Sequence, residues 1–186
     1  MNTKNNGDKF EQQRPIVIKK AGKAILFKDG EVIAMLDYDY VDVFYEGLAL
    51  VIKNGKYGFI NETGKEVIPC IYAGAKGFSE GYAAIRDKEE TCRWGYIDKN
   101  NKPISEFKYY TAYNFHEGIG VVYDGKYFGA IDTNGREIIP CKFNFLGKFE
   151  NGLAYACVNA KYFYVDIDGN YVCDKLDKPS TRTRSR

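Results

Sequence analysis

Short apolar runs of about five residues alternate with turn signals along most of the chain. One such stretch reads Leu48-Ala49-Leu50-Val51-Ile52, then Asn54-Gly55, then Lys56-Tyr57-Gly58-Phe59-Ile60. Asn-Gly supplies the positive φ angles of a type I′ hairpin turn, so the two runs predict paired antiparallel strands. Next come Asn61-Glu62-Thr63-Gly64 and a third run, Glu66-Val67-Ile68, closed by Pro69. An Asn or Asp opening such a turn caps it through its side chain, and Gly closes it in the left-handed region. Pro69 is expected to end the ladder because it has no amide donor. No long stretch keeps a 3.6-residue period. The pattern predicts an all-β chain.

The same unit recurs. Phe44-Tyr45-Glu46-Gly47-Leu48-Ala49 returns as Phe78-Ser79-Glu80-Gly81-Tyr82-Ala83, as Phe115-His116-Glu117-Gly118-Ile119-Gly120, and as Phe149-Glu150-Asn151-Gly152-Leu153-Ala154. The lead phenylalanines are 34, 37 and 34 positions apart, and 34 residues before Phe44 lies Phe10, which opens a degenerate first copy. A turn residue stands 14 positions before each next Phe, at Gly30, Gly64, Asn101 and Gly135, with Gly169 as its counterpart in the last copy. The extra length of the third copy falls in one place, the loop 87–93. Copies of this kind stack on their neighbours. The expected organisation is five repeats, at about 10–43, 44–77, 78–114, 115–148 and 149–178. Disordered ends are expected at 1–9 and, as a basic tail, at 179–186. The expected architecture is an open curved stack of three-stranded meanders. The alternative is a small five-bladed β-propeller, in which the segment around Tyr72–Ala75 adds a fourth strand. The small residues Ala49, Ala83, Gly120 and Ala154, together with Gly58, Gly95 and Gly129, are expected where neighbouring sheets approach closely.

These motifs resemble the bacterial WG-containing (KWG) repeat. The resemblance rests on Phe-x-Glu-Gly-x-Ala, on an aromatic-Gly pair, and on Gly-x-Glu-(Val/Ile)-Ile-Pro. Trp94-Gly95 is the pair of the name, with Tyr57-Gly58 and Phe128-Gly129 as variants. It covers roughly Phe10 to Lys178. Copies two to four match well. Copy one departs at Gln12-Gln13 and Lys23-Ala24, and copy five at Tyr162-Phe163 and Asp174. The family implies a repeat fold with a binding or scaffolding role in bacteria, and no shared catalytic residues.

Composition narrows the chemistry. Of 186 residues, 45% are hydrophobic and 16% aromatic, and 27 Lys+Arg stand against 25 Asp+Glu, for a net charge of +2. That balance gives no basic face for nucleic acid, apart from weak attraction by the tail. One histidine, His116, excludes multi-His metal sites, and no metal or cofactor is expected. Its repeat position is held by Tyr45, Ser79 and Glu150 elsewhere, which predicts a solvated side chain. The five cysteines, Cys70, Cys92, Cys141, Cys157 and Cys173, show no CxxC spacing and read as reduced apolar filler in a cytoplasmic protein. No apolar run is long enough to span a membrane, and no signal segment is visible.

Glu46, Glu80 and Glu117 share one repeat position, so a role in bonding turn amides accounts for all three without catalysis. Asp98, Asp132 and Asp166 read as turn residues. Copy-specific residues are left as candidates: Arg93 and Trp94 by the long loop, with Tyr109, Tyr110 and Tyr113 after it. The expected function is a non-enzymatic binding or scaffold module that presents a curved β surface to a protein or peptide. Glycan or cell-envelope binding through aromatic rows, and nucleotide sequestration or enzyme inhibition in a defence context, are the alternatives. Exposed edge strands would allow a homo-oligomer.

Overall fold

A computed structural model describes residues 15–20, 23–87 and 92–174. The expected disordered ends and the middle of the long loop lie outside the described residues. Five antiparallel sheets follow one another along the chain, and no helix occurs among the described residues. The first holds β1 (Ile16–Lys20), β2 (Lys23–Lys28) and β3 (Glu31–Leu36). The second holds β4 (Tyr40–Tyr45), β5 (Leu48–Lys53), β6 (Lys56–Asn61) and β7 (Glu66–Tyr72). The third is β8 (Gly74–Ala75), β9 (Tyr82–Arg86) and β10 (Trp94–Asp98). The fourth is β11 (Thr111–His116), β12 (Ile119–Tyr123), β13 (Phe128–Asp132) and β14 (Glu137–Phe143). The fifth is β15 (Phe145–Glu150), β16 (Leu153–Val158), β17 (Lys161–Val165) and β18 (Tyr171–Cys173). In every sheet the strands pair in chain order.

Three sheets thus have four strands, as the propeller alternative expects, rather than the three of the open stack. The extra strand is the segment that carries the lead Phe, folded back as β4, β11 or β15. Each of these is bulged two or three residues before the hairpin, between Val41 and Phe44, Ala112 and Phe115, or Leu146 and Phe149. The bulge turns the Phe ring into the preceding sheet, where all four lead rings are buried. Phe78 meets Phe59 edge-on at 4.8 Å, and Phe115 meets Tyr96 at 4.7 Å.

A separate apolar cluster fills each gap between successive sheets. Leu26 and Leu36 pack on Val41, Phe44 and Val51. Leu50, Phe59 and Ile68 pack on Phe78 and Ile85. Tyr96 and Tyr109 pack on Phe115 and Val122. Ile119, Ile139 and Phe143 pack on Leu146, Phe149 and Val165. Among the described residues no such cluster joins the first sheet to the last. On the outward face of the first sheet the strand register aligns Ile16, Phe27 and Val32, and beside them Ile18, Ile25 and Met35. Ile16 and Met35 there are 56% and 72% exposed.

Pro69 and Pro140 do not end their strands. β7 and β14 run on to Tyr72 and Phe143 because the chain bulges at each proline, where no donor is needed. The glycine across the ladder makes room. A Cβ on Gly58 would lie 2.6 Å from the Ile68 carbonyl oxygen, and one on Gly129 2.6 Å from that of Ile139. These glycines serve their own sheet's bulge, not the approach of a neighbouring sheet as expected. Gly120 does serve such an approach, since its Cβ would meet the Tyr96 hydroxyl of the third sheet at 2.8 Å.

Candidate binding surface

The repeated polar residues are engaged within the fold. Asn54 and Gly55 both have positive φ, as the type I′ turn requires. Asn61, Asp98, Asp132 and Asp166 each accept two amide hydrogen bonds within their own turns through Oδ1, at 2.8–3.1 Å. Glu46, Glu80 and Glu117 each reach from one hairpin to the next. The Glu80 carboxylate accepts from the amides of Glu117 (2.8 Å) and Gly118 (2.7 Å), and Glu117 accepts from Asn151 (2.7 Å) and Gly152 (2.8 Å). Glu46 accepts from Gly81 at 2.9 Å and pairs with Lys99 at 3.1 Å. The Gly152 and Asn151 amides hold the Glu117 carboxyl below its ordinary range. Burial works against the same shift at Glu46, where the Gly81 amide and Lys99 prevail. The three glutamates form a ladder that ties four sheets together, and Asn151 ends it.

Copy-specific residues gather elsewhere, where the third sheet meets the fourth. β10 opens with Trp94, which pairs with Arg86 of β9 on one side and with Tyr109 on the other. Paired residues share a face, so Arg86 and Trp94 both lie toward the fourth sheet. A cleft of about 440 Å³ opens there, lined by Arg86, Cys92, Arg93, Trp94, Tyr110 and Thr111. Arg86 is fixed by a 2.9 Å bond from Nη2 to the Ala73 carbonyl, while its buried Nε has no partner. The Arg93 guanidinium lies 5.8 Å from the Tyr110 ring centre.

Tyr113 projects from the bulge of β11. The buried Tyr96 hydroxyl donates to the Tyr113 carbonyl at 2.5 Å, which holds the bulge and leaves the Tyr113 ring outside. Lys76 joins this ring to the cleft, with its ammonium 4.2 Å from the Tyr113 ring centre and 5.6 Å from that of Trp94. Desolvation there lowers the Lys76 pKa. Beyond Tyr113 a second cavity, about 210 Å³, lies between the fourth and fifth sheets, lined among others by Tyr113, Val121, Phe128, Phe145 and Leu146. Cleft, lysine and cavity form one strip that crosses the edge of β11.

Of the residues singled out from sequence, Arg93, Trp94, Tyr110 and Tyr113 fall on this strip. Tyr110 and Tyr113 are 63% and 42% exposed. Tyr109 does not belong to it. It is 3% exposed and packs against Ala112, Phe115 and Ile131, because its bridge to Trp94 turns the ring into the gap between sheets. Arg86 and Lys76 were missed, although a signal existed. Arg86 stands at the repeat position held by Ile52, Tyr123 and Cys157, and Lys76 at that of Tyr113. His116 is half-buried rather than solvated, and its Nδ1 has no hydrogen-bond partner. Cys157 is buried and Cys92 exposed, while burial pushes the Cys141 thiol up to about 11.

No curated protein sequence matches the chain. Among solved structures, Kluyveromyces lactis Hsv2 is similar at a TM-score of 0.50 and 9% identity, over 87% of this chain and 60% of that one. A form of Hsv2 with loop 6CD replaced by a Gly-Ser linker aligns at a TM-score of 0.46 and 12% identity, over 68% and 47%. A Bacteroides caccae protein of unknown function aligns at 0.34 and 14%, over 87% and 77%. The chain spans less than two thirds of either Hsv2 chain, and the likeness to Hsv2 is one of fold alone, a β-propeller-like succession of small sheets. The family described as "WG containing repeat" matches four times, at residues 28–57, 57–90, 94–127 and 128–162. With most of its length so matched, the chain belongs to the WG-containing repeat family.

Proposed function

We propose that this chain is a non-enzymatic binding module, and that the strip from Arg86 to Phe145 receives a protein or peptide partner. One observation carries the reading. The acids shared by the repeats are taken up by turn amides, whereas the cations and rings peculiar to one or two copies converge on a single surface. Exposed Tyr110 and Tyr113, with half-buried Trp94, Arg86 and Arg93 beside a cavity, are of the residue types that dominate binding energy at protein interfaces.

The test is affinity capture from a lysate of the source organism, read by mass spectrometry. The baits are wild type and a variant with Arg93, Trp94, Tyr110 and Tyr113 changed to alanine. Tyr109 stays, because its loss would empty the core at a cost of about 3–5 kcal/mol. A partner enriched by wild type and lost from the variant supports the reading. Equal capture by both baits overturns the strip as the binding surface.

A further inference from the structure

We infer that the strip is built for an acidic peptide segment that carries a large apolar side chain beside its carboxylates. The inference rests on the binding-module reading and names the chemistry of the partner. Lys76, Arg86 and Arg93 lie along the strip, and among the described residues none of the three is in an ion pair. Lys76 is half withdrawn from water between the faces of two rings. A cation held in this way loses hydration with only the ring quadrupoles in return, and an arriving carboxylate supplies the missing counter-charge. Arg86 is anchored by one nitrogen to Ala73 at the wall of the cleft. It is thereby pre-oriented, so little side-chain entropy is lost on pairing. Asp87 follows Arg86 in the chain and does not line the cleft.

The apolar half of the ligand follows from the neighbouring cavity. Its walls are mostly rings and aliphatic side chains, and Phe128 lies 6.4 Å from Tyr113 and 5.9 Å from Phe145, centre to centre. About 210 Å³ accommodates one large side chain. Lys148 is its only charged lining residue, another cation, and it is paired with Glu150. Charge and apolar volume thus lie side by side, as an acidic segment with one Phe or Leu requires. An extended nucleic acid strand would need a longer run of cations.

Trp94 is the single tryptophan of the chain, so its emission reports on this surface without a label. The probe is the peptide Glu-Glu-Phe-Glu-Glu, titrated against Gln-Gln-Phe-Gln-Gln, Glu-Glu-Ala-Glu-Glu and inorganic phosphate. A saturable change in Trp94 emission is expected with the first peptide, weaker by about tenfold or more for the neutral and the Ala peptides. Added salt should weaken binding, because the pairing is partly exposed. Lys76→Gln and Arg93→Ala should each reduce affinity by about tenfold. Urea unfolding midpoints of both variants check that the fold is retained. Equal binding of the neutral peptide, or equal binding of phosphate alone, overturns the inference, as does the absence of any saturable change. If the wild-type chain still captures a partner that the four-alanine variant loses, only the acidic-peptide inference fails and the binding module stands.

Discussion

Glu46, Glu80 and Glu117 each hold a backbone φ of 52–54°, a region that side-chain-bearing residues seldom occupy. Each is kept there because it opens a two-residue hairpin turn and its carboxylate clamps the equivalent turn of the following sheet. The clamp makes a pH dependence. Amide bonds depress the Glu117 pKa in the folded chain below its ordinary 4.5. The unfolded chain therefore binds more protons in that range, and stability is lost as pH falls from about 4.5 through the folded value. Asp124, Asp132 and Asp166 are shifted in the same direction and add to this acid limb. Glu117→Gln keeps an acceptor but cannot titrate. Its urea midpoint should fall less steeply than that of wild type between pH 5 and pH 3, by about the share of one group. An unchanged slope would mean that the clamp adds nothing. The structural role of these acids was legible in their recurrence. Their partners were not, since each acceptor and its donors are 34 to 38 positions apart.

At the scale of the strand, two features escaped a linear reading. A proline ordinarily ends a ladder, yet β7 and β14 pass through Pro69 and Pro140. The passage depends on a bulge and on a glycine directly across the ladder on the neighbouring strand, Gly58 on β6 or Gly129 on β13. Gly129→Ala would place a methyl group 2.6 Å from the Ile139 oxygen and 2.8 Å from the Cys141 nitrogen. Both are backbone atoms that cannot step aside alone. The variant should lose about 1–3 kcal/mol, read from urea unfolding, and an unaltered midpoint would contradict the bulged pairing. The second feature is the fourth strand, which the spacing offered only as the propeller alternative. The lead Phe was visible as a repeated anchor, but the segment before it has no clear alternation, because its bulge puts two residues on one side.

For the molecule as a whole, stability is shared among gaps between sheets, each filled by side chains of two neighbours only. The first sheet buries one face, with Ile16, Ile18, Ile25, Phe27, Val32 and Met35 on the other. The second and fourth sheets are packed on both faces. Amides of β2 should accordingly exchange with deuterium about tenfold faster, or more, than those of β6 and β13 in native-state hydrogen exchange. Equal protection would indicate that something covers the first sheet in solution.

The sequence by itself determined the all-β class, the repeat period, the turn residues and the place of the long loop. All of these are local matters of φ preference and of spacing between turns. It also singled out Arg93, Trp94, Tyr109, Tyr110 and Tyr113 as candidates, of which Tyr109 is buried. Tertiary structure alone decided that Tyr109 points inward while Tyr110 does not, that Lys76 lies between two rings, and that Arg86 joins them. Those outcomes depend on which faces of successive sheets meet. A one-residue change of register, or one bulge, moves a side chain from the gap between sheets to the surface, and no short stretch of sequence carries that information.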